Sequence, residues 1–200
     1  HIHDRRQRQM CIRDSPIRII SGLEEAKLIR FHPKAEIESK KMYVDVGGGS
    51  TEIYIYKNCN HIIQSFQLGG VRSLLKKDKQ EEWKRLNSWL KKQSDLDTLI
   101  GLGGNIKAFL NLNCAKTMSS KKFTAKAEEL KQLNIKDKIS TYNLASDRAD
   151  VIDHALKIYL NIISQLNIKK IKSTKWGISD SIAVKTFHEL YSKKVSIYKD

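Results

Sequence analysis

The chain reads as an α/β domain: a mixed five-stranded sheet, three of its strands antiparallel, with helices on both faces. Three observations predict this. Met42–Tyr56, MYVDVGGGSTEIYIY, is two alternating runs joined by a glycine turn, the pattern of a hairpin. A third alternating run, His61–Leu68, follows at once. Two later runs, Thr98–Leu102 and Ile168–Thr174, precede glycine-bearing turns that open helical patterns, as strands do in α/β units.

The glycine turn is the part with chemistry. Gly47, Gly48 and Gly49 let the backbone take positive φ and approach a ligand closely. Amides of Gly47 to Thr51 converging on one concavity would cradle a phosphate. Asp45 ends the first strand and Glu52 opens the second. Two acceptor-only carboxylates flanking such a cradle suit a hard divalent cation such as Mg²⁺. The plainer reading is a glycine-rich hairpin with solvated acids.

Two hundred residues suffice for one domain with a real core, or one and a half. No apolar run approaches membrane-helix length, and the polar, Arg-rich beginning has no signal-peptide core. Cys11, Cys59 and Cys114 are few and far apart, which points to a reducing, cytoplasmic setting without disulfides or zinc. The net charge of +15 favours polyanions. The lysines come mostly as dispersed pairs without a basic stripe or interleaved aromatics, so no specific nucleic-acid partner is expected.

Taken in order, residues 1–15 show no periodicity, and RRQRQMCIRDS resembles a translated sequencing adapter. They are set aside as a non-native or disordered tail. Pro16–Ile20 is a short apolar run, and Leu23–Ile29 begins a helix whose Glu24 and Glu25 complement its dipole. Residues 32–41 form a polar linker around Pro33. Cys59-Asn60 is the expected turn before the third strand. Gly69-Gly70-Val71-Arg72 opens a helix, with Arg72 either near a phosphate or in a surface ion pair.

Glu81–Lys92 is amphipathic, with Trp83, Leu86 and Leu90 on one face. Gly103 and Gly104 follow the fourth strand and offer a second anion cradle at a helix start, or simply a tight packing turn. Thr124 is the expected N-cap of a helix reaching Leu133. Asp147 should cap a long, largely buried helix to about Gln165, with His154 a boundary residue. All ten glycines fall in five segments: 22, 47–49, 69–70, 101/103/104 and 177.

Several of these segments carry a resemblance. VDVGGGSTE is similar to the phosphate-loop signature of the exopolyphosphatase and guanosine pentaphosphate phosphohydrolase family, Ppx/GppA. IISGLEEAKLI resembles that family's IISGEEEARLI, with Leu23 and Lys27 as departures. GGVR, GLGGN (Asn105 replacing the usual Thr) and DRADVI at 147–152 resemble its segments in the same order. Ser179 and Ser181 replace the Arg and second Gly of its Gly-Leu-Arg-x-Gly segment.

The resemblance implies a ribonuclease H-like domain of the actin-like ATPase superfamily. It implies hydrolysis of a terminal phosphoanhydride of polyphosphate or guanosine pentaphosphate, dependent on Mg²⁺ or Mn²⁺. Asp45 and Glu52 would hold the metal, Gly47 to Thr51 the phosphate, and Glu25 would be the general base. It further implies a homodimer, and that residues 16–41 end a first domain while 42–200 form the second. The family's first phosphate loop, of Asp-x-Gly-Ser-Asn type, has no counterpart in this sequence, so the chain is expected to be a C-terminal fragment with little activity alone. Two other readings stay open: an ATP-dependent phosphotransferase of the same superfamily, and a non-catalytic polyanion-binding module.

Overall fold

A computed structural model describes residues 19–37 and 39–197, with side chains to Tyr191. The adapter-like segment 1–15 lies outside the described residues. The strands are β1 (Lys41–Val46), β2 (Thr51–Lys57), β3 (Asn60–Phe66), β4 (Thr98–Leu102), β5 (Thr117–Ser119) and β6 (Lys170–Ser173). They make one sheet in the order β3-β2-β1-β4-β6-β5. β1, β2 and β3 are antiparallel neighbours, β1, β4 and β6 run parallel, and β5 is antiparallel to β6.

The sheet therefore has six strands rather than the expected five. β5 is three residues long, too short to show alternation, and its one buried side chain is Met118. It forms by pairing with the edge of β6, a tertiary event. The helix after it starts earlier than expected as well. It spans Ser120–Lys131 (α5), and the Ser119 hydroxyl, not Thr124, accepts from the Lys122 amide at 3.3 Å.

The first turn after β2 centres on Asn58 and Cys59, both in left-handed backbone conformation. That is the geometry of a tight hairpin turn, one residue ahead of the expected position.

The two faces of the sheet are unequal. Met42, Val44, Val46, Ile53, Ile55, Leu99 and Ile171 point into the main core. The helices on this side include α2 (Gly70–Leu74), α3 (Gln80–Leu90), α4 (Gly103–Leu112), α5, and α8 (Ile152–Leu166). α8 buries Ile152, Ala155, Leu156, Ile158, Tyr159, Ile162 and Ile163, the double stripe legible in the sequence. His154 is half-buried beside Ser73, 3.3 Å from its hydroxyl.

The opposite face carries a smaller cluster of Ile29, Ala35, Tyr43, Tyr54 and Leu102. It is roofed by α1 (Gly22–Leu28), the 3-10 turn Ile29–Phe31, and α9 (Ile178–Ile197). Helices thus cover both faces. α6 (Ile135–Tyr142) and α7 (Ser146–Ala149) belong to the main-core side, where Ile139, Tyr142 and Ala149 pack.

Asp147 does not cap the long helix. It sits in the first turn of α7, and the chain jogs at Asp150-Val151 before α8 begins. The jog has a partner: the Val151 carbonyl oxygen lies 3.3 Å from where a Cβ on Gly70 would stand. A straight helix from Asp147 would forgo that close seat of α8 on α2.

Candidate active site

Asp45 pairs directly with Glu52 across β1 and β2. Directly opposed residues of an antiparallel pair share a sheet face, so both carboxylates rise from the face that carries α1. Both are buried, 8% and 1% exposed. On the far side of Glu52 its register partner is Ser65 of β3, whose hydroxyl donates to Glu52 Oε1 at 3.0 Å.

α1 completes the group. Its two glutamates divide the work. Glu24 makes a capping box with Ser21, accepting from the Ser21 amide at 2.9 Å while the Ser21 hydroxyl accepts from the Glu24 amide at 3.2 Å. Glu25 is half-buried, and its charge is felt at both Asp45 and Glu52. Gly22 permits this docking: a Cβ there would overlap the Ser65 hydroxyl and stand 3.0 Å from Glu52 Oε1.

The electrostatics follow from burial and mutual repulsion. Burial, then Glu25, pushes Asp45 up to about 6. Burial, with Glu25 and Asp45 adding, pushes Glu52 up to about 7, against hydrogen bonding from Ser50 and Ser65. Burial also raises Glu25. No lysine or arginine among the described residues forms an ion pair with any of the three.

Two acceptor-only carboxylates side by side can hold a hard cation. Among the described residues no three His, Cys, Asp or Glu side chains form a complete metal cage. One or two carboxylates completed by water fit Mg²⁺ or Mn²⁺ instead.

The glycine loop sits at the end of this pair. The Gly47 amide closes the turn on the Ser50 carbonyl at 3.0 Å. The carbonyls of Gly47 and Gly48 accept from the Gly70 and Arg72 amides, each at 2.9 Å. The Gly49 carbonyl accepts from Arg72 Nε at 2.7 Å, and the Thr51 hydroxyl donates to the Leu68 carbonyl at 2.7 Å. The amides of Gly48, Gly49 and Ser50 donate to no acceptor among the described residues.

Positive φ was the expected use of Gly47, Gly48 and Gly49, and the structure departs from it. Among the described glycines, the left-handed one is Gly103, at φ +78°. What the triplet provides is room: Gly48 and Gly49 are exposed, and a Cβ on Gly49 would meet nothing within 4 Å.

Gly103 brings the second loop to the first. Its missing Cβ would collide with Asp45 Oδ1, so the fourth-strand loop passes directly against the Asp45 carboxylate. Asn105 Nδ2 donates to the Val46 carbonyl at 3.1 Å, and Arg148 Nη1 donates to Asn105 Oδ1 at 3.3 Å. The Arg148 guanidinium lies over Gly104, 2.6 Å from the absent Cβ. Arg72 is half-buried and engaged with the Gly49 carbonyl and with Gln67 Oε1 at 2.9 Å.

The structure thus gathers Glu25, Asp45, Glu52, the 47–51 loop, Gly103 and Gly104 at one end of the sheet, with Arg72 bracing the loop. Sequence reasoning missed Ser65, Arg148 and the Ser21–Glu24 box. The spacing of Ser21 and Glu24 announced the box. Arg148 stood inside DRADVI but was given no role, and nothing local marked Ser65.

Comparison with known proteins follows the same lines. The profile of the Ppx/GppA phosphatase family matches residues 7–190, beginning within the segment set aside as a tail. A solved Aquifex aeolicus member of the Ppx/GppA family superposes with TM-score 0.70 at 20% identity, covering 90% of this chain and 68% of that one. The type II variant of the Aquifex aeolicus Ppx/GppA phosphatase gives 0.63 at 23%, covering 82% and 62%. An exopolyphosphatase from Cytophaga hutchinsonii gives 0.68 at 17%, covering 85% and 65%.

At these identities the likeness is one of fold, the actin-like ATPase type, and the chain spans about two thirds of those proteins' length. With the profile running over nearly all of it, the chain belongs to the Ppx/GppA phosphatase family.

Proposed function

We propose that this chain supplies the metal-binding and phosphate-binding wall of a Mg²⁺- or Mn²⁺-dependent phosphohydrolase. The substrate would be the terminal phosphoanhydride of inorganic polyphosphate or guanosine pentaphosphate. One observation carries the reading: among the described residues, three carboxylates without a cationic partner border a loop whose Gly48, Gly49 and Ser50 amides find no acceptor. A divalent cation and a phosphoryl group are what those two deficits would bind together.

In this reading Asp45 and Glu52 hold the metal, directly or through water. Bound there, it supplies positive charge to the phosphoryl oxygens and restores both carboxylates to their ionised form. The amides of Gly48, Gly49 and Ser50 orient the same oxygens, with Gly103 and Gly104 on the opposite loop and Arg72 keeping the first loop in shape. Glu25, half-buried and raised by burial, accepts the proton of the attacking water as its oxygen bonds to phosphorus. The bridging oxygen leaves with the shortened chain. A cytoplasmic setting and a homodimer belong to the same proposal.

The test is phosphate release from polyphosphate and from guanosine pentaphosphate by the full-length protein, with and without Mg²⁺. Metal-dependent release that Glu25→Gln cuts by about 10² or more supports the reading. Transfer of phosphate from ATP to an acceptor, with no release from either substrate, would replace it by a phosphotransferase.

A further inference from the structure

Beyond the candidate site, the sheet carries a second feature on its α1 face. Two rows of side chains cross four strands in register. One is Lys41, Thr98, Lys170 and Ser119. The other is Tyr43, Ile100, Lys172 and Thr117. Their neighbours Met42, Leu99, Ile171 and Met118 are buried in the main core, so the rows face the other way. α1 lies over β2 and β3, Ile100 joins Ile178 of α9 in the smaller cluster, and among the described residues the β6-β5 edge beyond them is uncovered. Lys170, Thr117 and Ser119 are exposed, and Lys41, Thr98 and Lys172 are half-buried.

The charges are uncompensated. Lys41, Lys170 and Lys172 form no ion pair among the described residues, nor do the adjoining Lys34 and Lys40. Asp97, the acid beside the first row, accepts from the Thr98 hydroxyl at 2.7 Å. Burial, then the charges of Lys34 and Lys41, hold His32 below its ordinary value, which places both lysines beside that ring. Strand geometry sets Lys170 and Lys172 about 6.6 Å apart and Lys41 roughly 10 Å from Lys170 across two strand spacings. The Thr117 hydroxyl lies among them, while those of Thr98 and Ser119 are engaged by Asp97 and by the Lys122 amide.

We propose that these rows form a binding surface for linear inorganic polyphosphate, separate from the glycine loop. A repeating polyanion matches cations and hydroxyls spread over two rows. Nucleic acid fits less well, because the one aromatic in the rows, Tyr43, is 2% exposed and offers no stacking platform. The choice of polymer rests on the phosphohydrolase reading above; the surface itself does not. Asp45 lies on the same face, four residues along β1 from Lys41.

The experiment titrates the chain with long-chain polyphosphate, tripolyphosphate and oligothymidylate over a series of salt concentrations, without Mg²⁺. The test variant is Lys41→Gln/Lys170→Gln/Lys172→Gln. The control is Lys84→Gln/Lys91→Gln/Lys92→Gln, which removes the same charge from three exposed positions in and after α3. Coincident melting curves show that both are folded.

The expected result is about tenfold weaker binding of the long polymer by the test variant. Its plot of log affinity against log salt should flatten by roughly 0.7 per lysine. Tripolyphosphate binding should be unchanged, and the control should stay within about twofold. An equal loss in the control would overturn the proposal in favour of net charge. Oligothymidylate bound as tightly, and equally weakened by the test variant, would overturn it in favour of nucleic acid. Because the readout is metal-free binding, absence of hydrolysis would leave this result standing, and loss of the binding difference would leave hydrolysis standing.

Discussion

Asp45 faces Glu52 across the first two strands, and neither carboxylate has a positively charged neighbour among the described residues. Burial raises both, to about 6 and about 7. The folded chain therefore binds more protons than the unfolded chain between about pH 4 and pH 7. The stability these two groups contribute is full below their unfolded values and is lost as pH rises through the folded ones. The melting temperature of the metal-free chain should fall between pH 4.5 and 7.5, by an amount that Asp45→Asn or Glu52→Gln reduces. Added Mg²⁺ should raise it more at the upper end, where it no longer competes with protons. Scanning calorimetry at several pH values, with and without Mg²⁺, checks this; a metal effect independent of pH would remove both carboxylates from the site.

Glu24 and Glu25 are adjacent in sequence and opposite in role. Glu24→Ala breaks the capping box and should cost on the order of 1 kcal/mol of stability, with Mn²⁺ affinity retained. Glu25→Gln should leave stability nearly unchanged or slightly higher, since it removes a repelling charge. Its loss should appear in kcat, by about 10² to 10⁴, and not in KM. Denaturant melts and steady-state kinetics on the two variants separate the effects.

Gly103→Ala and Gly49→Ala make an informative pair. At Gly103 the backbone is left-handed and the new methyl meets Asp45, so the variant should lose roughly 1–3 kcal/mol of stability and Mn²⁺ affinity as well. At Gly49 the methyl enters open space, so the melting temperature should hold while phosphate affinity falls. Thermal melts with Mn²⁺ and inorganic phosphate titrations give both readings; equal melting temperatures for the two variants would contradict the geometry.

Arg72 tests brace against ligand. If its guanidinium serves by holding the Gly49 carbonyl, Arg72→Lys should weaken phosphate binding nearly as much as Arg72→Ala, because the paired Nε and Nη2 donors are lost in both. Full rescue by lysine would instead make it a direct charge contact. Isothermal titration with phosphate distinguishes them.

How far the sequence told this depends on where each residue's partner lies. The opposition of Asp45 and Glu52 was legible because a four-residue loop, Gly47–Ser50, places them symmetrically about one turn. The strand runs and the stripes of α8 were legible because each buries one face. Glu25 came from resemblance alone, since a glutamate in a first helical turn is normally read as a dipole partner. The jog at Asp150-Val151 depends on Gly70, some eighty positions earlier, and β5 depends on β6. The lysine rows were invisible for the same reason: Lys41, Lys170 and Lys172 become neighbours only through β4, whose own sequence carries no charge.

A triple glycine is ordinarily the most restless piece of a polypeptide, and holding it still costs more entropy than holding any other three residues. Here that cost is met during folding, because the carbonyls of Gly47, Gly48 and Gly49 are anchored to α2 and Arg72 before any ligand arrives. A phosphate entering the loop has little left to freeze. Its association should therefore carry a small entropic penalty and a fast on-rate, the signature of a receptor that is stiff where its sequence is most flexible.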